Sequence, residues 1–324
     1  MMKVLRWTAR LLGGLILAVG LLCGGIALWL YAQDPETVVD APPAAYRLVS
    51  ERREAVLRNG EARLDLMLIF RADSVAAPLR MTVSLPADID AQRNLPVLLL
   101  LGGLDSGRES LDRMPPLGRN AMVGFEYARN DLILDRSASV LSRAMAVRDG
   151  AVETPAQIAA ALAWLGAQPW ADETRISILG YSLGAIFAPA GHRAAERAGV
   201  TVAADILAFG GADLDLILPY AIKFDPPALR RLAAGVVALM LRPIDPRFHL
   251  PYLRGRFMLI EAEEDELIPP AAQALFVELT PEPKTVHRIP GDHINPRDTV
   301  VLMKVVDLST AWLLEVGAAN VPTP

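Results

Sequence analysis

The chain has one cysteine, Cys23, and it lies inside an apolar stretch near the N-terminus. No internal disulfide can form and no cysteine metal site can be built. Everything after that stretch is free of thiols, which suits an oxidising compartment without requiring one. Positive charge is also in deficit: 32 Lys and Arg face 37 Asp and Glu, for a net charge of -5, and the arginines are scattered. Phosphate binding would leave a basic stripe, so nucleic acid is set aside as a partner. Histidine is limited to His192, His249, His287 and His293. There is no internal repeat and no low-complexity tract.

Charge is missing altogether from Leu11 to Ala32. A helix of about 22 residues at ~1.5 Å each covers roughly 33 Å, enough for a bilayer core. Residues 1–32 are therefore expected to hold one N-terminal transmembrane helix that anchors the chain. Lys3, Arg6 and Arg10 precede it and Asp34, Glu36 and Asp40 follow. The positive-inside rule then places the N-terminus in the cytoplasm and the rest in the periplasm or outside the cell. A cleaved signal peptide, leaving a secreted chain, shares the basic start and apolar middle, but its apolar core of about 7 to 15 residues is shorter. Leu22 is bulky where a lipoprotein site at Cys23 needs a small residue, so Cys23 reads as an ordinary membrane-facing side chain. Residues 33–45 carry prolines and acidic side chains without helical or alternating period, the signature of a linker.

What remains, residues 46–324, is the size of one domain, and with 52% hydrophobic residues in the chain it can bury a full core. Asn59-Gly60 separates two strand-like stretches, a hairpin signal, and Pro78 to Pro86 alternates as a third strand. Pro96 to Gly103 is a continuous apolar run ended by glycines, as expected of a parallel strand buried on both faces. Strands are expected again at Ala121 to Arg129, Arg175 to Ser182, in VAADILAFGG, in RFMLIEAEED and in TVHRIP. Helices are expected from Thr154 to Gln168 with Pro155 near the start, from Leu183 to about Ala198, near Ala271 to Leu279 and from about Asp298 to Leu314. This alternation calls for a mostly parallel, twisted sheet with helices on both faces.

GYSLG, Gly180 to Gly184, falls where a buried strand meets a helix. A nucleophile elbow holds its serine in a strained backbone at such a turn, and glycines two positions to either side let helix and strand cross closely. With acidic residues and histidine following in chain order at strand ends, residues from about Tyr46 to Leu314 resemble the α/β-hydrolase superfamily, in its serine esterase and dienelactone-hydrolase-like branches. The resemblance implies Ser182 as nucleophile. EAEEDELIPP matches the family's D-x-x-[VI]-P acid loop with Asp265 in the acid's place, although Glu264, Glu266 and Asp213 compete. PGDHINP puts His293 after the last strand, where the family carries its catalytic histidine. GGLDSGRES, Gly102 to Ser110, matches the oxyanion loop, with Gly102 standing where histidine is commoner. The implied oxyanion donors are the backbone N–H groups of Leu104 and Leu183.

In the implied reaction His293 takes the Ser182 proton, Asp265 fixes the imidazole tautomer, and water releases the acid from an acyl-enzyme. A small-molecule carboxylic ester is the expected substrate, and this chemistry needs no metal or organic cofactor. An acyltransferase, thioesterase or peptidase would use the same residues, and a non-catalytic binding protein would gain nothing from keeping all three. An insertion at about 213–254 is expected to form a cap. Within it Leu229, Leu232, Ala233, Val236, Val237, Met240 and Leu241 make one helical stripe. That stripe predicts a face turned into the core, or else an acyl pocket or a bilayer-touching surface helped by Arg230, Arg231 and Arg242.

Overall fold

A computed structural model describes residues 20–21, 24–40, 45–89, 93–103, 106–114, 118–223, 225–295 and 297–321. Most of the expected membrane segment, residues 1–19 with Leu22 and Cys23, lies outside these. Among the described residues no helix is long and apolar enough to cross a membrane. Residues 24–31 are helical (α1) and are followed by α2, Glu36–Asp40.

The expected linker at 33–45 is corrected by α2. Val38 and Val39, each 2% exposed, belong to the main hydrophobic core. The Glu36 carboxylate accepts two hydrogen bonds from the buried Arg193 guanidinium, at 2.9 and 2.8 Å. One short helical turn presents both valines to the core, and a pattern that short escapes any test of period.

Among the described residues nine strands form one sheet: β1 Arg47–Arg58, β2 Glu61–Ala72, β3 Val75–Pro86, β4 Leu95–Leu101, β5 Ala121–Glu126, β6 Ala171–Tyr181, β7 Ala204–Ala208, β8 Arg256–Ala262 and β9 Lys284–Ile289. Their order across the sheet is β1-β2-β3-β5-β4-β6-β7-β8-β9. The first three strands and the β3–β5 pairing are antiparallel, and all pairings from β5 through β4 to β9 are parallel. Asn59 and Gly60, both at positive φ, make the β1–β2 turn, the two-residue hairpin type that matches the twist of its strands. Every residue of β4 is buried, as a central parallel strand covered on both faces requires.

The other helices are α3 Arg108–Leu111, α4 Asn130–Leu134, α5 Val140–Gly166, α6 Leu183–Arg197, α7 Leu214–Ala221, α8 Pro227–Leu241, α9 Pro270–Leu279 and α10 Thr299–Glu315. One face of the sheet is packed by α5 and α6 through residues such as Ile158, Leu162 and Ala185. The other is packed by α3 and α10 through Leu111, Val305 and Trp312. Helix α5 starts at Val140, well before the expected Thr154, capped by Ser139 Oγ accepting from the Ser142 N–H at 3.1 Å. Pro155 is therefore interior. It costs one helical hydrogen bond, offset by burial of Ala151, Ile158 and Leu162 beside it.

After β4 the chain returns through β5 on one side, then β6 on the other, so the sheet's order reverses around β4. The crevice at the C-terminal ends of β4 and β6 is where such sheets bind ligands.

Candidate active site

Strand β6 ends at Tyr181 and α6 opens at Leu183, leaving Ser182 alone in the turn. Its φ of 55° and ψ of -114° fall outside the regions that residues with a side chain usually occupy. The crossing depends on two glycines. A Cβ on Gly180 would come 2.7 Å from the Gly184 oxygen, and one on Gly184 would overlap the Leu101 carbonyl. The Ser182 N–H donates to Ala208 O at 2.8 Å, fastening the turn to the end of β7.

Three expected site residues come together in one hydrogen-bonded chain. Ser182 Oγ lies 2.7 Å from His293 Nε2, and His293 Nδ1 lies 2.8 Å from Asp265 Oδ2. The Asp265 side chain is completely buried. Its second oxygen accepts from the backbone N–H groups of Leu267 and Ile268 at 2.9 and 2.8 Å, so both carboxylate oxygens are engaged. The Phe209 ring packs edge-on against the His293 ring, centroids 5.6 Å apart.

The competing acids lie elsewhere. Glu264 and Glu266 are exposed. Asp213 caps α7 by accepting from the Asp215 N–H and pairs with Arg247 at 2.7 Å. The other histidines also stand apart. His192 is buried with Nδ1 2.5 Å from Asp205 Oδ2. Burial disfavours its imidazolium, but the charge and hydrogen bond of Asp205, together with Glu196, outweigh that and push His192 up to about 9. His249 is buried with Nε2 donating to Pro243 O at 2.7 Å, and burial pulls it down to about 4. His287 is a half-buried residue of β9.

Of the two expected oxyanion donors, the Leu183 N–H opens α6, where helix amides lack intrahelical acceptors. Leu104 lies outside the described residues. Gly103, just before it, packs against the serine: a Cβ there would be 3.8 Å from Ser182 Cβ.

Two supporting residues escaped sequence reasoning. Asp292 Oδ1 accepts from the N–H groups of Glu266 at 2.7 Å and His293 at 2.6 Å, and these bonds hold its carboxyl below the usual range. It ties the loop carrying the acid to the loop carrying the histidine. Tyr127 is buried and donates its hydroxyl to Gly102 O, pinning the exit of β4. The first had a faint signal as the residue beside His293; the second had none, being a tyrosine in a strand-like run.

A cavity of about 370 Å³ opens at Ser182 and His293. Its walls are mainly apolar, built from Met114 near α3, Ile294, and Leu302 and Val306 of α10, with Arg113 the one guanidinium among the described residues that line it. It thus lies on the α3 and α10 side of the sheet, and among the described residues none of the α7–α8 insertion lines it.

A mostly parallel sheet with reversed order at β4, a serine at the β6–α6 turn and a histidine after β9 is the α/β-hydrolase fold. Solved structures with that fold match across most of the chain. An acetyl xylan esterase 1 from Thermoanaerobacterium sp. JW/SL YS485 aligns at a TM-score of 0.60 and 14% identity, over 87% of this chain and 92% of that one. Carboxylesterase Cest-2923 from Lactobacillus plantarum WCFS1 aligns at 0.51 and 15% identity, over 84% and 100%. An S-formylglutathione hydrolase from Agrobacterium tumefaciens aligns at 0.50 and 16% identity, over 83% and 99%. No family model matches the sequence, and no curated protein matches it.

Proposed function

We propose that the chain is a serine hydrolase that cleaves a carboxylic ester, or a related acyl bond, through an acyl-enzyme on Ser182. A serine hydroxyl is a weak nucleophile near neutral pH and needs a base within hydrogen-bond reach. His293 takes that role, and Asp265 holds the imidazole with Nδ1 protonated so that Nε2 is free to accept. As Ser182 Oγ bonds to the carbonyl carbon, its proton passes to His293. The carbonyl oxygen gains charge, which the backbone N–H of Leu183, with that of Leu104, stabilises. His293 then gives the proton to the leaving oxygen, the acyl-enzyme forms, and a water activated by the same nitrogen reverses the sequence. The apolar cavity beside Ser182 takes the acyl or alkyl group.

The observation that carries this reading is the unbroken Ser182–His293–Asp265 chain at a strained strand-to-helix turn beside an apolar cavity. The ester and hydrolase names of the structures sharing the fold point the same way. We extend the proposal to the uncharged run from Leu11 to Ala32, as a single-pass anchor with the hydrolase domain on the far side of the membrane from Lys3.

A fluorophosphonate probe reacts only with an activated serine. Wild-type protein is expected to label and to hydrolyse p-nitrophenyl esters. Ser182→Ala should lose both while keeping its circular dichroism, and labelling that survives in this variant would move the nucleophile elsewhere.

A further inference from the structure

The insertion between β7 and β8 buries Leu214, Ile217, Ile244 and Leu250 in the core but leaves several large apolar side chains of its two helices facing outward. On α8 the buried residues are Ala234 and Ala238, whereas Leu229, Leu232 and Val236 are 48%, 65% and 47% exposed. The expected stripe is thus split: Ala233, Val237, Met240 and Leu241 are half-buried, Leu241 against the core, while Leu229, Leu232 and Val236 face out. Helix α7 packs against α8 and adds Tyr220, 54% exposed. From Pro226 to Ile244 there is no acidic residue, and Arg230 and Arg231 have no hydrogen-bond or ion-pair partner among the described residues. An outward apolar face flanked by unpaired arginines matches the chemistry of an anionic lipid surface.

The N-terminal segment leads to the same place. Arg242, just past the end of α8, sits over the Tyr31 ring at 5.0 Å and donates to Gln33 O at 2.6 Å. Arg148 of α5 donates to the Gln33 side chain, and Glu36, Val38 and Val39 fix the next turn to the core as described above. Residues 33–39 are therefore held against the domain. Leu229 lies within about 20 Å of Arg242 at ~1.5 Å per helical residue. A bilayer entered by residues before Tyr31 is within that reach of the α8 face.

We infer that the α7–α8 insertion is a membrane-seating surface, whose outward face of Leu229, Leu232, Val236 and Tyr220 rests on an anionic bilayer while α1 and α2 hold it there. The inference rests on the proposed anchor. It also adds to the enzyme reading, because the insertion borders the active-site mouth: Lys223, just after α7, pairs with Glu266 at 3.6 Å, next to Asp265. Substrate would then enter beside the lipid surface.

The single native cysteine makes the test clean. In the full chain carrying Cys23→Ser, a nitroxide is attached at Leu232→Cys or, as a control on β1, at Leu57→Cys, which is 74% exposed. The protein is reconstituted in vesicles of phosphatidylcholine with phosphatidylglycerol, in phosphatidylcholine alone, and in detergent. Collisions with a water-soluble nickel chelate should fall severalfold at 232 in the anionic vesicles and stay unchanged at 57. Adding R230E and R231E should restore them. A label at 232 that stays as exposed as the one at 57, in protein that resists carbonate extraction, leaves the anchor standing and overturns the seating surface. Protein that carbonate strips and that does not sediment with vesicles overturns both. Shielding at 232 that appears in detergent and grows with protein concentration means a second copy covers the face, and also overturns the inference.

Discussion

Asp265→Asn is the substitution whose outcome the structure determines most closely. The asparagine amide has two orientations. With its oxygen toward the Leu267 and Ile268 N–H groups, its NH₂ faces His293 Nδ1, which must then be unprotonated; the proton sits on Nε2 and cannot be replaced by the one from Ser182. With its oxygen toward His293 the tautomer is right, but the NH₂ meets two backbone donors, both of which lose their acceptor. Each unmet buried donor costs roughly 1 kcal/mol or more, so the competent arrangement is disfavoured by about 2 kcal/mol, or about thirtyfold. Replacing a charged partner of the imidazolium by a neutral one costs about 1 to 1.5 kcal/mol more. The expected loss in kcat is thus at least about a hundredfold, approaching the ten-thousandfold order known for the same change in the chymotrypsin triad. Steady-state hydrolysis of a p-nitrophenyl ester measures it, with KM nearly unchanged. Glu264→Gln, Glu266→Gln and Asp213→Asn, none of which touches His293, should stay within about tenfold of wild type. An Asp265→Asn enzyme within tenfold of wild type would refute the tautomer argument, and a crippled Asp213→Asn enzyme would move the acid to the end of β7.

Two further outcomes concern stability. Arg63 is fully buried and donates to the carbonyls of Gly118, Ser84 and Asn120 at 2.6, 2.8 and 2.7 Å, so Arg63→Met should cost at least about 3 kcal/mol in urea unfolding; a loss below about 1 kcal/mol would contradict this. The two buried histidines pull in opposite directions with pH. His192 is raised to about 9, so its contribution is whole below about 6.5 and is lost as pH rises through 9. His249 is lowered to about 4, so its contribution is whole above about 6.5 and is lost as pH falls toward 4. Melting temperatures across pH 4 to 9 should therefore drop at both ends, with His192→Asn flattening only the alkaline side and His249→Gln only the acid side.

The parts of the molecule legible in the sequence are those whose determinants are local. The apolar run of β4, the Asn59-Gly60 turn and GYSLG each carry their reason within a few residues. Helix α2 reads as linker in sequence because two valines in a five-residue helix have no period to detect. The true start of α5 is hidden in sequence because Pro155 marks a first turn unless tertiary burial offsets its missing hydrogen bond. The α8 stripe is legible as one-sided, but which of its residues face in depends on how closely small residues let the helix approach, and that is decided by its neighbours. Asp292, Tyr127 and Arg63 act through contacts with backbone far off in the chain or in another loop, and such contacts leave no mark on their own surroundings in sequence.

The cavity at Ser182 is walled from one side of the sheet, by α10 and the segment around α3, while the insertion after β7 packs on the other and, among the described residues, adds none to its lining. On the proposed reading, two traits that a lineage could need to change separately, what is cleaved and where the enzyme works, are thus written in different stretches of chain. Substitutions at Met114, Leu302 or Val306 can retune the cleft without touching α8. An insertion exchanged wholesale between β7 and β8 can relocate the enzyme while leaving its chemistry and its selectivity in place, provided the Lys223–Glu266 border is kept.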